Sequence, residues 1–565
     1  MEKLSHYLNY DVFNNFNNNF NTRITVIMLF GSFGSLGSYY VYKKILHSFS
    51  SIGRNQLWKK IPFIQKKVEN EIRKMKEKNN EDTESYNNKL VEKLLTSGVT
   101  NVDIGNINTI QESGLNKETL MTYLHTLKDM DTMPKLISGT IYDDHENQHN
   151  EIMQAAYNLY AYTNPMHIDL FHSVVFMEKN LIVMISKLLG NMEHQCGSIT
   201  NGGTESIFLA LKTYRDMKCT NNGFLKNVDA NASVHKINVV APDTVHCSVD
   251  KLCHYLNIQL IKVKSNHEHR VTVCDILNTI NEYTACVVLS APSYGFGIMD
   301  DVAHIAPAMK ERGIPVHVDA CLGGFVWMFQ QQRENGIEME MEMEMEMDMA
   351  SKYSFCVDGV TSVSACLHKY GYSQKGVSCI LYRDESYLKY QYFVTANWDG
   401  GLYVSPTILG SRSGGLVAQA WAGFLSRGYK EYQDSSNKII HIAKYAHKKI
   451  QLVRECRTYP LDLHIVCFDI GKDTYKLYDY LITKGFNLNA LQNPPAIHLC
   501  VTKMHDEPTI DALVQEIETF IQCKDTLEYK EDLAPIYGMK ASIPVYTNEI
   551  LNECISSYLI NKYST

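Results

Sequence analysis

From about residue 150 onward, short apolar runs rich in β-branched residues alternate with stretches of helical periodicity. This alternation restricts the chain to few architectures. Residues 237–241 (INVVA), 285–291 (ACVVLSA), 315–319 (PVHVD) and 378–382 (SCILY) read as strands buried on both faces. Helical patterns over 205–217 and 302–312 lie between some of them. Strands of this kind belong to a mostly parallel sheet covered by helices. Beyond about 435 the pattern becomes helix, strand, helix, strand, with strands expected at 463–469 and 496–501, which suggests a smaller C-terminal α/β lobe. At 565 residues the chain is too long for one small core.

The net charge of −8 supplies no basic surface, so nucleic acid is not an expected partner. The 15 cysteines include no C-x-x-C pair. Zinc ribbons and thioredoxin-like motifs are therefore not expected, no metal site is assigned, and a reducing compartment with buried free thiols is the simplest reading.

Residues 24–42 (ITVIMLFGSFGSLGSYYVY) carry no charge. Their length is close to the roughly 20 residues that cross a bilayer. Lys43, Lys44, Arg54, Lys59 and Lys60 follow, whereas only Lys3 and Arg23 precede. The positive-inside rule then puts the C-terminal bulk in the cytosol and a short N-terminus in the lumen. A transmembrane helix is accordingly expected, with the lipid bilayer as a partner. Residues 1–23 are polar and Asn-rich, and 51–100 are charged and helix-prone. Residues 338–349 (EMEMEMEMEMDM) read as a low-complexity surface insert.

Four clusters carry chemistry. Thr200-Asn201-Gly202-Gly203-Thr204-Glu205-Ser206 leads into a helical stretch. Paired glycines and a helix N-terminus offer backbone N–H groups to an anion, although the same residues also make an ordinary helix cap. His317-Val318-Asp319-Ala320-Cys321-Leu322-Gly323-Gly324 ends an apolar strand in a carboxylate. Ligands of open α/β sheets bind at such strand ends, where an aspartate can pair with a protonated pyridine nitrogen; it can equally cap a helix. In Ser364-Ala365-Cys366-Leu367-His368-Lys369-Tyr370-Gly371 a lysine follows an apolar run. Such a lysine can hold a cofactor aldehyde as a Schiff base if burial and nearby cations release its proton. His246, five residues after INVVA, can stack on a flat cofactor or be a loop histidine.

Together these clusters resemble the fold-type I pyridoxal-5′-phosphate (PLP) enzymes, and within them the sphingosine-1-phosphate lyase family, over roughly residues 60–560. The resemblance also runs through YTNPMH (162–167), VHCSVDK (245–251), SAPSYGFGIMDD (290–301), LHKYGYSQKG (367–376) and LNALQNPPAIHLCVT (488–502). It implies a PLP-dependent transferase-like α/β fold with a large mostly parallel-sheet domain over 141–435. A small domain over 436–565 follows, and a linker with a helical segment over 43–140 precedes.

The resemblance makes Lys369 the Schiff-base lysine, Asp319 the partner of the pyridine nitrogen and His246 the stacking residue. Gly202, Gly203, Thr204 and His368 would hold the cofactor phosphate, with Ser411 and Gly414 in a segment reaching a neighbour's cofactor in a homodimer. Tyr142, His167 and Lys375 would hold the substrate phosphate. The implied reaction is retro-aldol cleavage of a phosphorylated sphingoid base into a long-chain aldehyde and phosphoethanolamine, at the endoplasmic reticulum membrane. The family usually has Asp-Thr where this chain has Cys366-Leu367, and Ser where it has Asn201. An amino-acid decarboxylase and a non-catalytic membrane-tethered scaffold are the alternative readings.

Overall fold

The computed structural model describes residue 110 and residues 112–131, 133–144, 148–221, 236–330, 349–523 and 526–527. All of them fall in one compact unit, Ile104–Thr547.

Seven strands form the main sheet: β1 Cys196–Thr200, β2 Asn238–Pro242, β3 Gln259–Val263, β4 Thr284–Ser290, β5 Val316–Asp319, β6 Val360–Ala365 and β7 Ser378–Tyr382. Their order is β1-β7-β6-β5-β4-β2-β3. β3, β2, β4, β5 and β6 run parallel, and β7 is antiparallel to both of its neighbours. Every residue of β2, β4, β5 and β7 is buried, as continuous apolar runs between two helical layers require. The edge strand β3 is half exposed and reads QLIKV.

Among the described residues, nine α-helices are nine residues or longer. They are α1 Lys117–Lys128, α2 Gln148–Tyr160, α3 His172–Leu188, α4 Gly203–Asn221, α5 Ser248–Leu256, α6 Val302–Glu311, α7 Gly414–Leu452, α8 Thr474–Thr483 and α9 Glu507–Cys523. α4 starts three residues after β1 ends, so its N-terminus lies at the carboxyl edge of the sheet. α5 ends on Asn257, whose φ of 54° lets its N–H close back onto Cys253 and His254. α7 continues through residue 435 and is kinked at Gly428 (φ 64°, ψ 173°).

The C-terminal part adds a four-stranded antiparallel sheet. Its strands are β8 Arg457–Thr458, β9 Ile465–Asp469, β10 Asn489–Leu491 and β11 Ala496–Cys500, ordered β8-β9-β11-β10. Its buried faces join those of the main sheet and of α7 in one continuous apolar core, through residues such as Val466, Phe468, Leu499, Phe325 and Ile439.

One expectation is corrected. Among the described residues no helix is long and apolar enough to cross a membrane. The run 24–42 lies outside the described residues, and three glycines and three serines dilute its apolar character. The transmembrane helix, the bilayer as a partner and a single-pass position in the endoplasmic reticulum membrane with a lumenal N-terminus therefore have no support in the structure. Residues 338–348 of the Glu-Met repeat also lie outside the described residues.

Candidate active site

Parallel strands all present their carboxyl ends at one edge of the sheet, and the crossover loops collect there. Ser290, Asp319 and Ser364 are in register across β4, β5 and β6. Beyond this row stand His246 after β2, Asp319 itself, and Lys369 on the turn after β6.

Asp319 is buried, and its Oδ1 accepts from the Cys321 N–H (3.0 Å) and the Ser364 hydroxyl (3.4 Å). Both bonds fall on Oδ1, which leaves Oδ2 for a ring nitrogen. Behind it, the buried His317 bonds Ser362 (2.8 Å) and Ser364 (3.2 Å). Burial, opposed by Asp319, brings its pKa down to about 4. A neutral imidazole here leaves the charge at Asp319 uncompensated from the sheet side.

Lys369 is half-buried on a turn whose N–H groups close back onto the chain, from Lys369 to Cys366 (3.4 Å) and from Tyr372 to Lys369 (3.0 Å). A Schiff-base lysine needs its amine deprotonated, which burial and nearby cations favour. Burial does lower its pKa, but Cys366, Cys321, Tyr142 and Asp319 together outweigh it and raise it. The free amine is therefore held as ammonium by acidic neighbours, not discharged by basic ones.

His246 is exposed at the mouth of the site. Its Nδ1 accepts from the Ser248 backbone N–H at 3.2 Å and lies 2.8 Å from the Ser248 hydroxyl. A backbone N–H can only donate, so the ring proton of the neutral form sits on Nε2. The ring feels both Asp319 and Lys369, and Tyr294 meets it edge-on with centroids 5.9 Å apart. Tyr294 lies within the SAPSYGFGIMDD stretch, but nothing in that pattern assigned it to the site.

Gly202, with φ 137°, and Gly203 form the turn into α4. Glu205 reaches back to the Asn201 N–H (2.7 Å) and to the Ile408 N–H (2.9 Å), which fixes the turn from both sides. Below it, Ser206 bonds Thr200 (2.7 Å) and Ser378 (2.9 Å). Thr204 is exposed on the first turn of α4. The ring of His368 lies beside Gly202: a Cβ there would stand 3.9 Å from His368 Cε1. His368 Nδ1 donates to the Val377 carbonyl (2.7 Å), and burial brings its pKa down to about 4. Its Nε2 thus presents a lone pair, and an incoming phosphate dianion would favour the doubly protonated ring.

Tyr142 and Lys375 come together, with Lys375 Nζ 4.6 Å from the Tyr142 ring centroid. Lys375 also donates to the Thr140 carbonyl at 2.7 Å. His167 is exposed on the turn after α2. Ser411 and Gly414 join that region: Asn164 donates to the Ser411 hydroxyl (3.1 Å), and the Gly414 N–H donates to the Thr163 carbonyl (2.9 Å). Arg412 anchors this segment through a buried ion pair with Glu178 at 3.0 Å.

The distant motif at 488–502 finds its place here too. The Tyr370 hydroxyl donates to the Val501 carbonyl (2.6 Å), tying the lysine turn to the end of β11. The Gly139 N–H donates to the Cys500 carbonyl (2.9 Å), and His498 Nδ1 donates to the Gly295 carbonyl (2.7 Å). One strand thus holds the segments carrying Tyr142, Tyr294 and Lys369.

These donors fit PLP: a glycine turn at a helix N-terminus for phosphate, a buried carboxylate with a free oxygen for a ring nitrogen, an imidazole beside the site and an amine within electrostatic reach of both. A seven-stranded sheet with one reversed strand and this set at its carboxyl edge define a fold-type I PLP enzyme of the decarboxylase-like group. The family model described as "Pyridoxal-dependent decarboxylase conserved domain" matches residues 158–470. The chain is 34% identical over 529 residues to the sphingosine-1-phosphate lyase of Drosophila melanogaster, covering 91% of this chain and 89% of that protein. It is 30% identical over 539 residues to sphingosine-1-phosphate lyase 1 of Rattus norvegicus, covering 93% and 88%. Among solved structures, the Burkholderia pseudomallei K96243 sphingosine-1-phosphate lyase superposes with a TM-score of 0.67 at 27% identity, over 78% of this chain and 97% of that one. A Lactobacillus brevis glutamate decarboxylase, at 20% identity and a TM-score of 0.62 over 75% and 96%, shares the fold. The chain belongs to the sphingosine-1-phosphate lyase family.

Proposed function

We propose that this chain is a PLP-dependent lyase that cleaves phosphorylated sphingoid bases such as sphingosine-1-phosphate, releasing a long-chain aldehyde and phosphoethanolamine. The observation that carries the reading is the convergence of Lys369, Asp319, His246 and the Gly202-Gly203 turn at one sheet edge, in a chain alike over nine-tenths of its length to lyases of that name.

When bound, PLP supplies an electron sink for the pair released as the C2–C3 bond of the substrate breaks. The protein's own residues do the rest. Lys369 would hold the cofactor aldehyde and afterwards carry protons at Nζ. Asp319 Oδ2 would keep the ring nitrogen protonated. His246 would lie on the ring, oriented through Nδ1 by Ser248. Gly202, Gly203 and Thr204 would present donors to the cofactor phosphate, with His368 beside them. Lys375 and Tyr142 would take the substrate phosphate. Burial raises the Tyr142 phenol against the pull of Lys369, so Tyr142 acts there as a hydrogen-bond donor.

The test is the Lys369→Ala variant of the full chain, given PLP and sphingosine-1-phosphate. Loss of both the bound-cofactor absorbance band and aldehyde release is expected, while turnover that survives the substitution would overturn the reading. Carbon dioxide release from aromatic or acidic amino acids, the output of a decarboxylase, is expected to be absent in the unmodified protein.

A further inference from the structure

Cys321 and Cys366 occupy equivalent places just past the carboxyl ends of the adjacent parallel strands β5 and β6. Each stands two residues beyond a registered pair, Asp319 on β5 and Ser364 on β6. Neighbouring strands of a sheet lie about 4.8 Å apart, and a disulfide joins Cα atoms about 4.4–6.8 Å apart. Both side chains are buried, Cys321 at 7% and Cys366 at 1% exposure. They converge beneath the glycine turn, where a Cβ on Gly203 would stand 2.8 Å from each sulfur. Cys321 Sγ donates to the hydroxyl of Ser364, two residues before Cys366, at 3.3 Å. Two sulfurs thus converge on one point beneath the glycine turn, in the segments that follow Asp319 and precede Lys369.

We propose that Cys321 and Cys366 form a reversible dithiol–disulfide site that a small hydroperoxide closes, switching off the adjoining lysine site. Cys366 is the attacking sulfur. Its thiolate forms a bond to one peroxide oxygen as the O–O bond breaks, and the departing hydroxide takes up a proton to leave as water. The Cys321 sulfur then displaces hydroxide from the sulfenic acid at Cys366, and its own proton completes a second water. The two sulfurs are oxidised, the peroxide is reduced, and a thiol reductant reverses the result.

The electrostatics agree with this division of roles. Burial pushes the Cys366 thiol up, but the neighbouring Cys321, the Lys369 cation and Ser378 outweigh it and bring it down to about 7. Cys321 is held up as a thiol by the neighbouring Cys366 and by burial. The thiolate is the form that attacks peroxide. Closure would draw the two Cβ atoms to about 3.8 Å and remove an anion that Lys369 feels. It would also shift the loop that gives Asp319 its Cys321 N–H bond. Lone disulfides in a reducing compartment are typically of this transient, sensing kind.

The effect on turnover rests on Lys369 being the cofactor lysine, whereas the cross-link does not. The test treats PLP-loaded full-length protein with hydrogen peroxide, alkylates the remaining thiols, and maps peptides by mass spectrometry without reduction. A linked Cys321–Cys366 peptide is expected to accumulate in step with loss of aldehyde release, and dithiothreitol is expected to reverse both. Cys366→Ser and Cys366→Ala, each compared with its own untreated sample, are expected to give no linked peptide and to lose no turnover at that dose. Loss of turnover with both cysteines recovered as alkylated free thiols would overturn the proposal, as would a linked peptide in protein of undiminished turnover. Protein that never shows a bound-cofactor band would instead count against the role given to Lys369, and the peptide map would still decide the cross-link.

Discussion

Arg427 on α7 forms an ion pair with Asp143 in which both side chains are buried, at 0% and 4% exposure. Lys503 reaches the same carboxylate at 3.2 Å, and Glu431 accepts from Arg427 at 2.6 Å and from Lys503 at 3.4 Å. The guanidinium also lies 4.9 Å over the ring of Tyr372, three residues after Lys369. Asp143 adjoins Tyr142, so the network joins the segment that carries Tyr142 to the lysine turn. Breaking a buried pair strands a charge and costs about 3–5 kcal/mol. Arg427→Ala is expected to lower the free energy of unfolding by that order, measured by urea denaturation. Arg427→Lys is expected to recover only part, because an ammonium cannot bond Asp143 and Glu431 with a planar fork.

Gly203 has no room for a methyl group, since a Cβ would meet the Cys321 and Cys366 sulfurs at 2.8 Å each. Overpacking of this kind costs about 1–3 kcal/mol. Gly203→Ala is expected to weaken PLP binding, read from a titration of the bound-cofactor absorbance. Adding Cys366→Ala removes one of the two sulfurs and is expected to restore part of the affinity. No recovery would mean that the glycine matters for its backbone alone.

Asp319→Asn keeps the shape of the side chain and removes its charge. The glycine turn is untouched, so PLP is expected to remain bound. Turnover is expected to fall by about 100- to 1000-fold, the loss seen when a charge-stabilising group is removed from an active site. Parallel measurement of the cofactor band and of kcat separates the two effects.

Asp300 is a buried carboxyl whose Oδ2 accepts from the Ser290 N–H at 2.7 Å. Burial raises its pKa to about 7, against that N–H and Arg270. The folded protein therefore favours the protonated form over the ionised one. The stability this contributes is full below the ordinary carboxyl range near pH 4 and is lost as pH rises through about 7. Unfolding free energies of the unmodified chain are expected to fall across that window relative to Asp300→Asn, by an order of a few kcal/mol. Parallel curves for the two proteins from pH 4 to 8 would refute the assignment.

The sequence by itself determined the α/β architecture and the places where chemistry begins. A strand buried on both faces must be a continuous apolar run, so 285–291 and 378–382 announced β4 and β7. Asp319 and Lys369 were legible because each follows an apolar run at the edge where ligands bind, and the Gly202-Gly203 turn because paired glycines lead into a helical stretch. Edge strands escaped notice: β1 reads CGSIT and β3 reads QLIKV, neither continuously apolar, because an edge or half-covered position imposes no such demand. The reversal of β7 was invisible too, since a strand buried on both faces has the same composition in either direction.

Only the tertiary structure decided which residues meet. Tyr142 and Lys375 are 233 positions apart in the chain and stand together, and the turn that carries His167 is tied to Ser411 and Gly414 through Asn164 and Thr163. Lys369 meets Cys321, Asp319 and Tyr142 from two other segments, and with Cys366 they raise its pKa against burial. Cys321 and Cys366 became a pair through the register of β5 against β6, a property of neither segment alone. The physical reason is common to all three: periodicity records how deeply each residue is buried, whereas contact partners follow from strand order and register, which are set by the packing of the whole chain.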